Sequence, residues 1–338
     1  MHIADALLSP LVGAAFWAVS GALTLYSAKK ITEENDPVKT PLMGVLGAFV
    51  FAAQMINFSI PGTGSSGHLG GGLLLAVLLG PHRAFITLAS VLIIQSLFFA
   101  DGGVLALGCN IFNMAFLPTF IACPFIYRLL AGNASSPYQR AFGSITAATV
   151  ALLTGSLSVV MQTVFSGITE LPFTTFMLFM LPIHCAIGIV EGLVTWAILS
   201  FVAKTEPRLL AGPPPSAKPR FIFAPFMVAA LLLGGVGAWF ASSHPDGLEW
   251  SVAKVTGNKN FHRKSEPVHE MFAAFQQRTA FLPDYSFKNS AGVKVMSNSP
   301  INVGTSVSGI AGTLFVLVTA VAAGTILGRK QAAAKSRE

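Results

Sequence analysis

The chain has 338 residues, 53% of them hydrophobic and only 10% charged. Soluble domains carry about 25% charged residues, so a water-soluble globule is excluded and an all-α integral membrane protein is expected. The formal charge of +7 does not point to nucleic acid, because Lys and Arg sit mostly at the ends of apolar segments.

A membrane-crossing helix needs about 20 apolar residues. Spans are predicted near 7–28, 41–60, 66–81, 83–100, 104–130, 141–168, 172–203, 221–241 and 307–328. The first follows Met1-His2-Ile3-Ala4-Asp5, with no basic region and no small-residue cleavage site, so this end reads as a mature terminus. The third is short and begins in a glycine run, Gly62-Thr-Gly-Ser-Ser-Gly-His68-Leu-Gly-Gly-Gly72. It reads as a partial helix fed by a re-entrant loop, which is tolerated only when buried in protein or lining a cavity. Cys109, Cys123 and Cys185 lie in apolar stretches at no metal-ligand spacing and read as small hydrophobes.

Lys and Arg set the orientation. Lys29 and Lys30, Arg83, Arg128 and Arg140, Lys204 to Arg220, and the tail 329–338 all fall on one side of the alternating spans. That side is cytoplasmic by the positive-inside rule, so the N-terminus is placed outside the plasma membrane and the C-terminus inside. Pro213-Pro214-Pro215 makes residues 206–220 a stiff cytoplasmic linker. It divides a seven-span body, residues 1–205, from a two-span hairpin, residues 221–328, with a large outside loop at 242–306. Few contacts are expected across such a boundary, so the body is expected to fold and bind without the hairpin.

Met1 and His2 hold three nitrogens in two residues: the α-amine, the amide after it and the imidazole. These can close fused small chelate rings on one ion and leave one in-plane position. His68, predicted on the same outer side, can fill it. Four nitrogens in a plane suit nickel(II) or copper(II) better than zinc(II), which prefers a tetrahedron. The plainer alternative is a terminal histidine that binds nothing.

Asp101, Asn110 and Asn113 flank the outer end of the fifth span, where they can orient ligands or serve as helix caps. His184 and Glu191 lie seven residues apart on one helix face. Intramembrane ionisable groups are functional suspects; the plainer alternative is that both lock helices together by hydrogen bonds. A membrane-embedded metal-dependent enzyme built on this pair is the reading of a different class, but no H-E-x-x-H motif supports it. His262 and His269 read as solvated loop residues, with metal capture as the alternative.

Met1-His2-Ile3, the glycine run with His68, Ala100-Asp-Gly-Gly103 and Leu107-Gly-Cys-Asn110 together resemble the substrate-capture component of nickel/cobalt energy-coupling-factor importers, the CbiM/NikM type. Pro245-Asp-Gly-Leu-Glu-Trp250 resembles the small accessory component of the same importers, known for its PDGLE signature, fused here to the first. The resemblance implies that Ni2+ or Co2+ is the transported substrate, bound outside by the Met1 amine, His2 and His68. It implies two kinds of partner, a transmembrane scaffold protein and a pair of cytoplasmic ATPases. The chain lacks a G-x-x-x-x-G-K-[ST] phosphate loop, so ATP hydrolysis is expected from those partners and no enzyme activity from the chain. Four nitrogen donors favour nickel over cobalt.

Overall fold

The computed structural model describes residues 2–34, 36, 39–132, 136–211, 220–257, 266–287 and 303–335. Met1, the three linker prolines and His262 lie outside the described residues. In chain order the helices that matter are α1 (Pro10–Glu34), α2 (Lys39–Gln54), α3 (Gly72–Leu79), α4 (Pro81–Phe99), α5 (Leu107–Leu130), α6 (Pro137–Ser166), α7 (Phe173–Thr205), α8 (Arg220–Gly235), α9 (Gly247–Thr256), α10 (Pro267–Thr279) and α11 (Val303–Lys335). Of these, α1, α4, α5, α6, α7 and α11 are each long and apolar enough to cross a membrane. The expected all-α membrane architecture holds, but of the nine predicted spans those near 41–60, 66–81 and 221–241 are shorter helices of 16, 8 and 16 residues, and one small element is not helical. Two three-residue strands, β1 (Phe58–Ile60) and β2 (Ser65–Gly67), pair antiparallel between α2 and α3, with Ser59 opposite Ser66.

This hairpin explains the short third segment. Eight residues of helix rise about 12 Å, far less than the roughly 30 Å of a bilayer core. The chain enters as a hairpin, passes His68 and only then winds into α3, whose leucines are almost wholly buried. A lipid-facing loop would leave backbone groups without partners, so burial inside the helical body is what makes the segment tolerable. Gly72 abuts the ring of Pro118 in α5. Around Pro118 and Pro124, α5 relaxes into wide π turns over Phe112–Tyr127. Proline lacks the N–H that a regular helix needs, and wide turns are a common local answer.

The Pro-rich boundary predicts few contacts across it, and the structure shows the opposite. Both α8 and α11 pack along α2. Gly44 of α2 abuts Leu317 and Val321 of α11, and Gly312 of α11 abuts the ring of Phe51. Val316 and Ala320 are fully buried as a result. Small residues let membrane helices approach closely, and close packing is the main attraction where lipid offers no hydrophobic drive.

Candidate metal-capture site

The site starts from how the chain's first residues are held. Ile3 is fully buried. Its N–H donates to Asn110 Oδ1 at 2.8 Å, and its carbonyl accepts from Asn110 Nδ2 at 3.2 Å and from the Gly103 amide at 2.9 Å. The carboxamide of Asn110 therefore pairs with Ile3 as a neighbouring strand would, satisfying buried backbone groups that need partners. Asp5 Oδ1 accepts from the Ala106 amide at 2.9 Å and ties the next turn to the same loop. These anchors fix the position of His2.

The imidazole of His2 lies beside that of His68, with ring centroids 5.2 Å apart and planes 20° from parallel. His2 Nδ1 is 3.2 Å from Asp101 Oδ1, and His2 Nε2 is 3.2 Å from Gln95 Oε1. A chain of amides sets the polarity of the second contact. The Gly70 carbonyl can only accept, so Gln54 Nε2 donates to it at 2.8 Å. Gln54 Oε1 in turn accepts from Gln95 Nε2 at 2.8 Å. Gln95 is left presenting its oxygen, so His2 Nε2 carries a proton and donates. The nitrogen left for a metal is Nδ1, beside Asp101, the one that can share a chelate ring with its own backbone amide. Burial lowers the proton affinity of His2, and Asp101 restores part of it. A proton held weakly at Nδ1 is one that a cation can displace.

His68 is set in a similar way. Its Nδ1 lies 3.0 Å from the Leu69 carbonyl, which can only accept, so the proton sits on Nδ1 and Nε2 keeps its lone pair. The loop around it is clamped from below. Glu191 of α7 accepts from the Gly70 and Gly71 amides at 2.8 and 3.0 Å. Glu191 thus holds the backbone that presents His68, and its two oxygens are committed to that task.

The segment between α8 and α11 packs over the site on both flanks. On the His68 side, Ser66 donates its amide to the Pro245 carbonyl at 2.8 Å, and Trp250 Nε1 donates to the Thr63 carbonyl at 3.0 Å. On the His2 side, Tyr285 donates to Asp101 Oδ2 at 2.6 Å, and Gln276 Nε2 donates to the Ser96 and Gly102 carbonyls at 2.9 and 2.8 Å. Asp246 caps α9, accepting from the Leu248 and Glu249 amides. Burial alone would raise its carboxyl, but the positive charge of the N-terminus, then the Glu249 amide and the imidazoles of His68 and His184, outweigh burial and hold it below the usual carboxylate range.

Of the residues singled out in the sequence, the structure brings together His2, His68, Asp101 and Asn110. Asn113 is elsewhere occupied: it exchanges two hydrogen bonds with Gln162 of α6. His184 and Glu191 share a cavity but do not bond each other. His269, expected in solvent, is buried, and its Nε2–H donates to the Leu8 carbonyl at 2.8 Å. Gln54 and Gln95 were not anticipated; polar amides inside apolar spans are the signal that would have found them. Among the described residues no three His, Cys, Asp or Glu side chains cluster closely enough to hold a metal ion. The candidate ligand set does not need such a cluster, because two of its nitrogens are backbone groups.

Residues 2–209 match the family described as the cobalt uptake substrate-specific transmembrane region, and residues 220–329 match the PDGLE domain. An Archaeoglobus fulgidus chain with the provisional name fused nickel transport protein NikMN is 30% identical over 326 residues, 94% of this chain and 96% of its own. The fused nickel transport protein NikMN of Rhodobacter capsulatus is 30% identical over 62% of this chain and 64% of its own. A solved structure described as a transition metal transporter is 33% identical, with a TM-score of 0.53 over 60% of this chain and 93% of its own.

Proposed function

Because the chain belongs to the family of cobalt uptake substrate-specific transmembrane regions, with a PDGLE domain behind it, we propose that it is the metal-binding membrane subunit of an importer whose cargo is nickel(II), with cobalt(II) as the alternative. The Met1 amine, the His2 amide, His2 Nδ1 and His68 Nε2 supply four nitrogens to one ion at the outer face. Gln95 orients His2 through Nε2, Asn110 fixes the backbone beside it, Asp101 supplies negative charge next to the Nδ1 that the ion takes, and Glu191 orients the loop of His68. The chain binds and delivers, and performs no chemistry on its cargo. A transmembrane scaffold and a pair of cytoplasmic ATPases of the plasma membrane supply the energy.

One observation carries the reading. The amide chain from Gly70 through Gln54 and Gln95 ends on His2 Nε2, which supports Nδ1, beside Asp101, as the nitrogen that takes the ion. That is the only ring nitrogen able to close a small chelate with the residue's own backbone. An outer partner that fixes the tautomer of a metal-bound histidine is the common design. The choice of nickel rests on the donor set, since four nitrogens can hold nickel(II) planar and nickel stands above cobalt in the usual order of affinity.

Competition binding on the purified chain tests both parts. Nickel should displace cobalt at equal concentration; the reverse preference would make cobalt the cargo. One residue added before Met1, or acetylation of the amine, should abolish tight binding while the membrane body stays folded. An N-terminal extension that binds as well as the parent would sink the chelate.

A further inference from the structure

Behind His68 lies a cavity of about 30 Å³, bordered by His68, Asn113, His184, Glu191, Asp246 and Gly247. A space of that size takes an ion with a water beside it. Most of the polar groups around it are committed. Glu191 holds the Gly70 and Gly71 amides, and Asn113 is paired with Gln162. His184 differs. It is 1% exposed, and its Nδ1 lies 2.8 Å from the Met180 carbonyl one turn back along α7. A carbonyl only accepts, so Nδ1 carries the proton and Nε2 carries a lone pair. That Nε2 is buried and has no hydrogen-bond partner.

A lone pair left unmatched in an apolar interior calls for an explanation. A histidine with Nδ1–H given to a backbone carbonyl and Nε2 open is the arrangement of a metal ligand. The residue in front of it is also telling. A Cβ built on Gly247 would stand 3.0 Å from His184 Cε1 and 3.3 Å from Nε2. The glycine of the PDGLE signature therefore keeps clear the space that this nitrogen faces. Next to it, the Asp246 carboxylate brings negative charge to the same cavity.

We propose that His184 Nε2 and this cavity form a second, weaker station for the divalent transition-metal cargo, one step inward from the capture site. The proposal rests on the metal-import reading and on the outward placement of His2 and His68. His184 lies eleven residues into α7, about 16 Å along its axis from Phe173. One imidazole, one nearby carboxylate and water make a poor cage, which suits a place that an ion must leave again. Conduction needs sites that hold long enough to accept and weakly enough to release. It also gives the accessory segment a direct part, because Asp246 and Gly247 come from the hairpin and His184 from the body.

The full chain in detergent should be titrated with cobalt(II) alone, followed by visible absorbance and by metal analysis after equilibrium dialysis. Two ions per chain are expected, one tight and one weaker, with separate spectra. His184→Ala should lose the weaker ion and keep the tight one. Gly247→Ala, which puts a methyl group into the space before Nε2, should do the same. His68→Ala should degrade the tight site and leave the weaker spectrum. A wild-type chain that saturates with one ion overturns the second station and leaves the capture site standing. So does a second ion that survives both His184→Ala and Gly247→Ala. If His184→Ala unfolds the chain, Gly247→Ala decides the matter by the same count. A wild-type chain that binds no metal removes the capture reading and the station with it.

Discussion

Asp101 joins the two halves of the molecule at a single carboxylate. Its Oδ1 meets His2 and its Oδ2 accepts from Tyr285 in the segment between α10 and α11. Groups at one remove from a metal ligand typically change affinity about 10–100-fold when altered. Glu191→Gln should fall in that range, because glutamine keeps one acceptor for two glycine amides and turns a donor toward the other. Nickel titration of the purified variant checks this, and unchanged affinity would mean that the loop of His68 needs no clamp. His68→Ala should weaken binding and shift the visible absorbance, as water replaces one nitrogen. At this scale the sequence exposes the residues with distinctive chemistry: His2, His68, Asp101 and Asn110. It hides Gln54 and Gln95, whose neutral amides look like ordinary polar residues until α2 and α4 bring them into line. His269 shows the opposite failure. Its polar surroundings suggest solvent, yet it is buried because the Leu8 carbonyl needs a donor.

The signature Pro245-Asp-Gly-Leu-Glu reads element by element as the start of α9. Asp246 caps the first amides, Glu249 Oε2 accepts from the Asp246 amide at 3.3 Å, and Leu248 is buried. This reciprocal pair is a capping box, and its spacing is visible in the sequence. What the cap sits on is not visible, because the contact of Pro245 with Ser66 joins segments 179 residues apart in sequence. Asp246→Asn separates the two duties of the residue. Asparagine caps a helix about as well as aspartate, so α9 should persist. Loss of the charge should lower cation affinity by roughly tenfold, the scale of one charge near a partly buried ion. Circular dichroism and metal titration of the same sample check both statements; an unchanged affinity would leave Asp246 a cap and nothing more.

For the whole molecule, apolar runs foretell the helices and their order, because an apolar run is a property of a single segment. The packing of α8 and α11 on α2 is not foretold, since Gly44 and Gly312 are two among 32 glycines and only the fold makes them meet. That packing changes what removal of the hairpin does. A chain ending before Phe221 should still insert, because lipid can cover the apolar face of α2 that α11 leaves behind. Metal binding should persist but weaken, as Asp101 loses Tyr285 and Ser66 loses Pro245. Uptake by cells carrying the scaffold and ATPase partners should fall sharply. Labelled-metal uptake equal to that of the full chain would reduce the hairpin to an assembly aid.

The two flanking contacts also turn the molecule into its own clock. The Ser66 amide is tied to the Pro245 carbonyl and the Leu282 amide to the Phe98 carbonyl, so each is shielded by a bond between the body and the segment linking α8 to α11. Ser66 lies in β2 but gives this amide to Pro245 and not to β1, and the Leu282 amide lies outside the helices, so deuterium enters each position when its own flank lets go. If the loop lifts as one piece, the two amides should exchange at the same rate. If it peels from one side, one will run ahead and mark the flank that opens first. A bound ion that tightens the whole enclosure should slow both together, and the ratio of rates with and without metal then measures how strongly cargo and cover hold each other.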